Sequence, residues 1–409
     1  MGDQYVVTWP DTQVAMEFTR LTDRHYGTTA ELVVQRLNGE HSTHLWGVVQ
    51  VCLTNSRAIA ETAQQLDRRI GGVDWDTMLM VACTQVLYEH RKPEPPVALD
   101  LVEAPARMDF ISRFMPENEL TIIAADGGSG KSLLALGLAT CVMADTPLTS
   151  RLIPARAANA LYLDYETTWE THERRLSAIC RGLEVPKPHI IYQRMSRPLT
   201  DDVANIRRLV DAYDIGLLIV DSIMPATGSG TNDVDGVVKV TNALRQIGSV
   251  TTLGLTHVAK AQTDQRDGKF SPMGSVQWKN QARQVWTVRR GSEPGDDSMV
   301  MGFTHLKTND GRLEKPFALQ VDFTAEAVTF SQTSVVQHAE IEQIASLADR
   351  IANVLRAGAK PVREIAEELD LTPEAVRAYL SNRDGKRRFR RLDMGGNGVA
   401  GTWGLNYED

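Results

Sequence analysis

Between Glu119 and Ala144 the chain passes from a short apolar, β-rich run (ELTIIAA), through Asp126-Gly127-Gly128-Ser129-Gly130-Lys131-Ser132, into a helical pattern that opens at Leu133. Few local patterns restrict a fold more. Glycines let a loop turn tightly enough for its backbone N–H groups to converge on an anion, and the helix N-terminus behind it adds partial positive charge. The spacing fits G-x-x-x-x-G-K-[ST], with Ala125 in the first position. Gly127, Gly128, Ser129, Gly130, Lys131, Ser132 and Leu133 are therefore expected to wrap the phosphates of a nucleoside triphosphate. Lys131 would reach the β- and γ-phosphates, and the Ser132 hydroxyl would ligate Mg²⁺.

Two downstream runs supply the remaining parts of a hydrolase. Ala160–Tyr165 (ALYLDY) ends at Asp164-Tyr165-Glu166. A carboxylate at such a strand tip can orient or deprotonate an attacking water. Glu166 is the first candidate, Asp164 the second, and a helix-capping acid is the competing reading. Ile215–Val220 (IGLLIV) ends in Asp221-Ser222, an acid placed to hold Mg²⁺ through water together with Ser132. A fourth run, Val250–Thr256 (VTTLGLT), leads into His257, a polar tip that could sense the γ-phosphate or be purely structural.

The alternation of apolar runs and helical patterns from about residue 99 to 330 predicts an α/β domain with a parallel sheet covered by helices. Residues 1–92 read as a mostly helical region without a signature, set off by the proline-rich HRKPEPP stretch. Residues 339–409 read as short helices and a basic, glycine-broken tail. The chain has 409 residues, enough for two or three domains. Its four cysteines form no CxxC pair, which argues against a disulfide framework or zinc site. No apolar run is long enough to span a bilayer and no leader opens the chain, so a cytoplasmic, membrane-free protein is expected. With 44 Lys+Arg against 52 Asp+Glu, the formal charge is −8, which excludes a chain-wide polyanion-binding surface.

Together the phrases AADGGSGKS, LYLDYE, LLIVDS, LGLTHVAK, GSVQWKNQARQVWTVRR and THLKTNDG resemble RecA-fold P-loop ATPases, within them the RepA/DnaB-like hexameric helicase group. The resemblance covers roughly residues 99–330. It implies a RecA-like core using ATP and Mg²⁺, with Glu166 as catalytic glutamate, Asp221 as the Walker B acid and His257 as the fourth-strand histidine. It also implies that Arg283 reaches the ATP of a neighbouring subunit, with Lys307 as a second cation acting between chains. Asn309 stands where DnaB-like proteins carry an arginine. A transferred phosphoryl group gathers negative charge in the transition state, so a cation lent by a neighbour is worth ~10³–10⁵ in rate.

In RecA-like rings the loops after these strands face a central channel. Here the second of them carries Lys260, Arg266 and Lys269, balanced in part by Asp264 and Asp267. Further on, PVREIAEELD and a second helix capped by Thr372 suggest a helix-turn-helix with Ile365, Ala366, Leu369, Leu371, Val376 and Leu380 inside. It resembles a winged helix with its wing in residues 383–405. From Thr372 to Arg391, seven basic residues (Arg377, Arg383, Lys386, Arg387, Arg388, Arg390, Arg391) face two acids, a local charge of +5. Such a patch suits duplex DNA, or alternatively a protein partner. The resemblance implies an oligomer, a hexameric ring, working as a DNA helicase or translocase in replication of a phage, plasmid or other mobile element. Single-stranded DNA would run in its channel. An ATP-switched DNA-binding regulator and a strand-coating recombination mediator are the alternatives.

Overall fold

The computed structural model describes residues 4–24, 27–38, 41–92, 98, 108–228, 234–258, 272, 276–291, 296–339, 341–393 and 401–406. The chain divides into two compact units, Met1–Ala106 with Val203–Ala212, and Arg107–Asp202 with Tyr213–Asp409.

The first unit departs from expectation. Residues 1–92 are not mostly helical: strands β1 (Tyr5–Trp9), β2 (Val14–Arg24), β3 (Gly27–Asn38) and β4 (His41–Cys52) form an antiparallel sheet in sequence order, followed by helices α1 (Ser56–Ile70) and α2 (Trp75–Arg91). Val14, Met16 and Phe18 of β2 and Ala30, Leu32 and Val34 of β3 pack with Leu66, Trp75 and Leu79 of the helices. Register irregularities between Thr19 and Thr22, and again between Leu32 and Gln35, interrupt the two-residue alternation by which a half-buried strand is recognised. The helices are capped in the ordinary way. Asn55 Oδ1 accepts from the Arg57 and Ala58 amides, and Asp74 Oδ1 accepts from Thr77 N.

The second unit opens with a small hairpin, β5 (Asp109–Ile111) and β6 (Met115–Pro116), and continues β7 (Leu120–Ala125), α3 (Lys131–Met143), β8 (Asn159–Asp164), α4 (Trp169–Leu183) and β9 (Ile191–Arg194). After α5 (Val203–Ala212, counted with the first unit) come β10 (Ile215–Asp221), α6 (Val234–Ile247), β11 (Thr251–His257), α7 (Val276–Gln281), β12 (Gln284–Gly291), β13 (Ser298–Thr308), β14 (Phe317–Phe323) and β15 (Val328–Thr333). These strands make one nine-stranded sheet, ordered β15-β14-β13-β12-β7-β11-β10-β8-β9.

The six strands from β12 to β9 are parallel, as the alternation of apolar runs and helical patterns led us to expect. The sheet is nevertheless mixed, because β13, β14 and β15 run antiparallel. Their connections, 292–297, 309–316 and 324–327, are too short for the crossover that parallel pairing requires.

This antiparallel arm folds back over the helices. A Cβ built on Gly137 of α3 would lie 3.2 Å from Phe330 Cζ of β15, and one on Gly182 of α4 would lie 2.0 Å from Val328 O. Helix α3 is therefore enclosed: Lys131 and every residue from Leu133 to Val142 are buried. Each fully buried Leu or Val there contributes about 1.5–3 kcal/mol relative to exposure.

The C-terminal elements have a core of their own, although they fall in the same unit. They are α8 (Leu347–Arg356), β16 (Lys360–Pro361), α9 (Val362–Glu368), α10 (Pro373–Ser381), α11 (Arg383–Arg388), β17 (Phe389–Arg391) and β18 (Thr402–Leu405), with sheet order β16-β18-β17. Ile351, Leu355, Ile365, Ala366, Leu369, Val376, Leu380 and Phe389 fill the interior, and Leu371 packs partly buried against them. Thr372 Oγ1 caps α10 by accepting from Ala375 N. The basic stretch after α10 is itself helical at its start, because Asn382 Oδ1 accepts from Gly385 N. Gly385 is required there, since a Cβ would meet Tyr379 O at 2.1 Å.

Candidate functional site

The register of the parallel strands brings their tips into one row. His257 pairs with Ala125, Asp221 with both Leu255 and Asp164, and Asp164 with Arg194. Backbone hydrogen bonds past the strand ends lock the row: Tyr165 N donates to Asp221 O, Met195 N to Asp164 O and Ile223 N to Leu255 O.

At one end of the row lies the glycine loop. Gly128 and Gly130 have φ of 72° and 84°, a region that only glycine enters without strain. A Cβ on Gly130 would also stand 2.6 Å from Met299 Cε. Lys131 folds back into the loop, its Nζ donating to Ala125 O at 2.9 Å and Asp126 O at 2.7 Å. Burial pulls this ammonium below its ordinary pKa, while the charges of Glu166, Asp221 and Asp126 oppose the shift. Ser132 and Leu133 open α3, whose first amides have no partner within the helix and face the loop's concavity.

Asp221 is buried, and its Oδ2 accepts a 2.6 Å hydrogen bond from the Tyr162 hydroxyl. Burial pushes its carboxyl above the usual range, with the hydrogen bonds of Ser132 and Tyr162 pulling back and the Glu166 charge adding to the rise. Its Oδ1 and the Ser222 hydroxyl are buried without a hydrogen-bond partner among the described residues. An orphaned carboxylate oxygen beside the Ser132 hydroxyl fits Mg²⁺, a hard cation that keeps several waters and takes one or two protein oxygens plus substrate phosphates.

The two acids of the second strand separate by environment. Asp164 is fully buried and saturated: Oδ1 accepts from the amides of Glu166 (2.8 Å) and Thr167 (3.0 Å), and Oδ2 accepts from the Tyr192 hydroxyl (2.8 Å) and lies 3.2 Å from His172 Nε2. Burial alone would raise its pKa, but these donors hold the carboxyl below the usual range. Glu166 points outward instead, about a third exposed, with Oε1 3.5 Å from His257 Nε2. Of the pair, only Glu166 is open to an approaching water.

The structure does not bring every candidate to this row. Arg283 precedes β12 at the opposite end of the sheet, its amide donating to Leu120 O. It is paired with Glu119 at 2.7 Å and Asp310 at 3.9 Å. The six residues of β7 separate it from the glycine loop, roughly 17 Å at 3.3 Å per residue. Lys307 lies nearby, its Nζ donating to the Asn280 and Ala282 carbonyls at the end of α7. Burial, then the charges of Arg283 and Lys279, lower its pKa. Lys260, Arg266 and Lys269 lie outside the described residues. Arg377, Arg383, Lys386, Arg387 and Arg390 are exposed on α10, α11 and β17, whereas Arg388 is half-buried against Asp349 at 2.9 Å.

Four participants escape a reading by motif. Tyr162 shares a face of β8 with Asp164, two positions away, so strand alternation could have flagged it. His172 and Tyr192 approach Asp164 only through the packing of α4 and β9. Arg290, at the far end of β12, donates to Gly128 O at 3.1 Å and so braces the glycine loop.

Residues 89–263 match a family model described as an AAA domain. That match and the strand-tip site support a P-loop ATPase. Among solved structures, a KaiC-like protein from the hyperthermophilic archaeon Pyrococcus horikoshii OT3 aligns at 15% identity with a TM-score of 0.39, over 55% of this chain and 98% of that one. No curated protein matches the sequence. No helix among the described residues is long and apolar enough to cross a membrane.

Proposed function

We propose that this protein is an ATP-hydrolysing, oligomeric DNA helicase or translocase of the RepA/DnaB-like type, acting in replication of a phage or other mobile element. The observation that carries the reading is the pairing of Glu166 with His257 in the row that also holds Asp221 and the glycine loop. In this reading Lys131 leaves the Ala125 and Asp126 carbonyls for the β- and γ-phosphates, and Asp221 and Ser132 hold Mg²⁺. Glu166 orients the attacking water and takes its proton. Mg²⁺, when bound, neutralises charge on the phosphate oxygens. His257 reports the state of Glu166 to the segment that follows β11.

Arg283 lies too far from its own glycine loop to reach a phosphate there, which supports its use by a neighbouring subunit, with Lys307 beside it. Hydrolysis would then depend on subunit contact, as a ring requires. The order α8-β16-α9-α10-α11-β17-β18 supports a winged helix, and its exposed arginines suit duplex DNA. The test is ATPase activity with and without single-stranded DNA, together with strand displacement on a forked duplex. Stimulation with displacement is expected. Tight duplex binding without stimulation or displacement would instead make the protein an ATP-switched regulator, the reading favoured if the basic C-terminal elements act alone.

A further inference from the structure

The antiparallel arm and the C-terminal helices enclose a cleft of about 590 Å³, far from the row of strand tips. Four cations line it: Arg151, Lys315, Arg356 and Arg388, against the single acid Asp349. The lining therefore carries +3 in a chain whose total is −8. Two of the cations are already oriented. Arg151 is fixed by Glu314 at 3.0 Å and stacks 4.4 Å above the Phe317 ring, and Arg388 is held by Asp349. The other two, Lys315 and Arg356, are exposed at the mouth. Asp349 is held by Ser346 and Arg388, and as one acid against four cations it leaves the lining with its positive excess. Burial would raise its carboxyl, yet those two hydrogen bonds and the charges of Arg388 and Lys315 hold it below the usual range, which places Lys315 in view of the same acid.

We propose that this cleft holds the phosphodiester backbone of a nucleic acid, so that one strand bridges the edge of the ATPase sheet and the C-terminal helices. The proposal deepens, and rests on, the DNA reading above. The chemistry favours backbone over bases. The one aromatic ring in the lining, Phe317, is buried beneath Arg151 and offers no face for stacking. The remaining polar groups, among them Gln332, Thr333 and Ser334, are neutral hydrogen-bonding partners of the kind that meet phosphate and sugar. Arg388 also lies within a basic run, flanked by exposed Lys386, Arg387, Arg390 and Arg391, which gives a strand a charged path beyond the cleft. A small anion would need no such path.

The experiment uses the full chain, with dye-labelled oligonucleotides of one sequence as single strand and as duplex, titrated by fluorescence anisotropy across a range of salt. The variant is Lys315→Gln with Arg356→Gln, both outside the ATPase site. Loss of two phosphate contacts should flatten the dependence of log affinity on log salt by about 1.4 for single strand or about 1.8 for duplex. The arm that flattens identifies the form bound. ATPase activity without nucleic acid should stay at the wild-type level, and Lys315→Arg with Arg356→Lys should restore the slope. Wild-type protein that binds neither form overturns the DNA reading and the cleft together. Wild-type binding with an indistinguishable variant overturns the cleft alone. So does weaker binding with an unchanged salt slope, because the lost contact would not then be to phosphate.

Discussion

His257 Nε2 lies 3.5 Å from Glu166 Oε1, although His257 ends β11 and Glu166 follows β8, with β10 between those strands. The contact spans the position above Asp221 and leaves Glu166 outside the buried network that consumes Asp164. Replacing Glu166 by Gln keeps the shape and removes the base. ATP should still bind, while turnover falls ~10²–10⁴-fold. Nucleotide affinity and single-turnover hydrolysis measure the two parts, and normal hydrolysis would move the base elsewhere.

Asp164 should behave differently. Asp164→Asn retains an oxygen for the Glu166 and Thr167 amides but sets an NH₂ group against Tyr192 and His172. The expected loss is chiefly of stability, about 1–3 kcal/mol, with a smaller drop in turnover than in Glu166→Gln. Denaturant unfolding and ATPase assays on the same preparations separate the two. A larger catalytic than structural loss would assign Asp164 to chemistry.

Lys131→Ala removes the ammonium that the loop carbonyls store. Turnover should drop by at least ~10²-fold, with the folded core retained because the ten other buried residues of α3 are untouched. Circular dichroism and steady-state ATPase assays are the checks, and wild-type turnover would remove the phosphate site from this loop.

Arg283→Ala breaks a half-exposed pair with Glu119, worth about 0–1 kcal/mol, so the melting temperature should barely move. Turnover should fall sharply nonetheless. Mixing Arg283→Ala with Glu166→Gln subunits should restore part of it, because some interfaces would join an intact Arg283 to an intact Glu166. Stable mixed oligomers without any recovery would confine Arg283 to its ion pair.

His305 supplies a pH prediction. It stacks on Trp286 with centroids 4.1 Å apart, and burial holds its pKa at about 4, below the ordinary 6.5. The unfolded chain therefore binds a proton first as pH falls. The contribution is fully present above 6.5, is lost between about 6.5 and 4, and stays constant below. Its size is on the order of 3 kcal/mol. The difference in unfolding free energy between wild type and His305→Gln should shrink across that window. A difference independent of pH would show that His305 does not titrate on unfolding.

Legibility in the sequence followed the range of the interactions. The glycine loop, Glu166, Asp221 and His257 were visible because each is a local pattern, an apolar run ending in a polar tip, and parallel register aligns such tips. The ranking of Glu166 above Asp164 gains its physical reason only from the fold, where Tyr192 and His172 saturate Asp164. Residues 1–92 hid a sheet because irregular register at Thr19–Thr22 and Leu32–Gln35 erases the alternation. Likewise nothing local in 298–333 says that those strands turn antiparallel and close over α3. Arg283 illustrates the remaining limit, since the role between chains that the resemblance implies would leave only an ordinary ion pair within one.

The enclosure of α3 has a mechanical consequence. A rod clamped along its whole length cannot recoil, so under the ATPase reading proposed above the helix would serve as an anvil for a triphosphate at its tip. The partly exposed pair Glu166 and His257 would then be the hammer that the anvil leaves free.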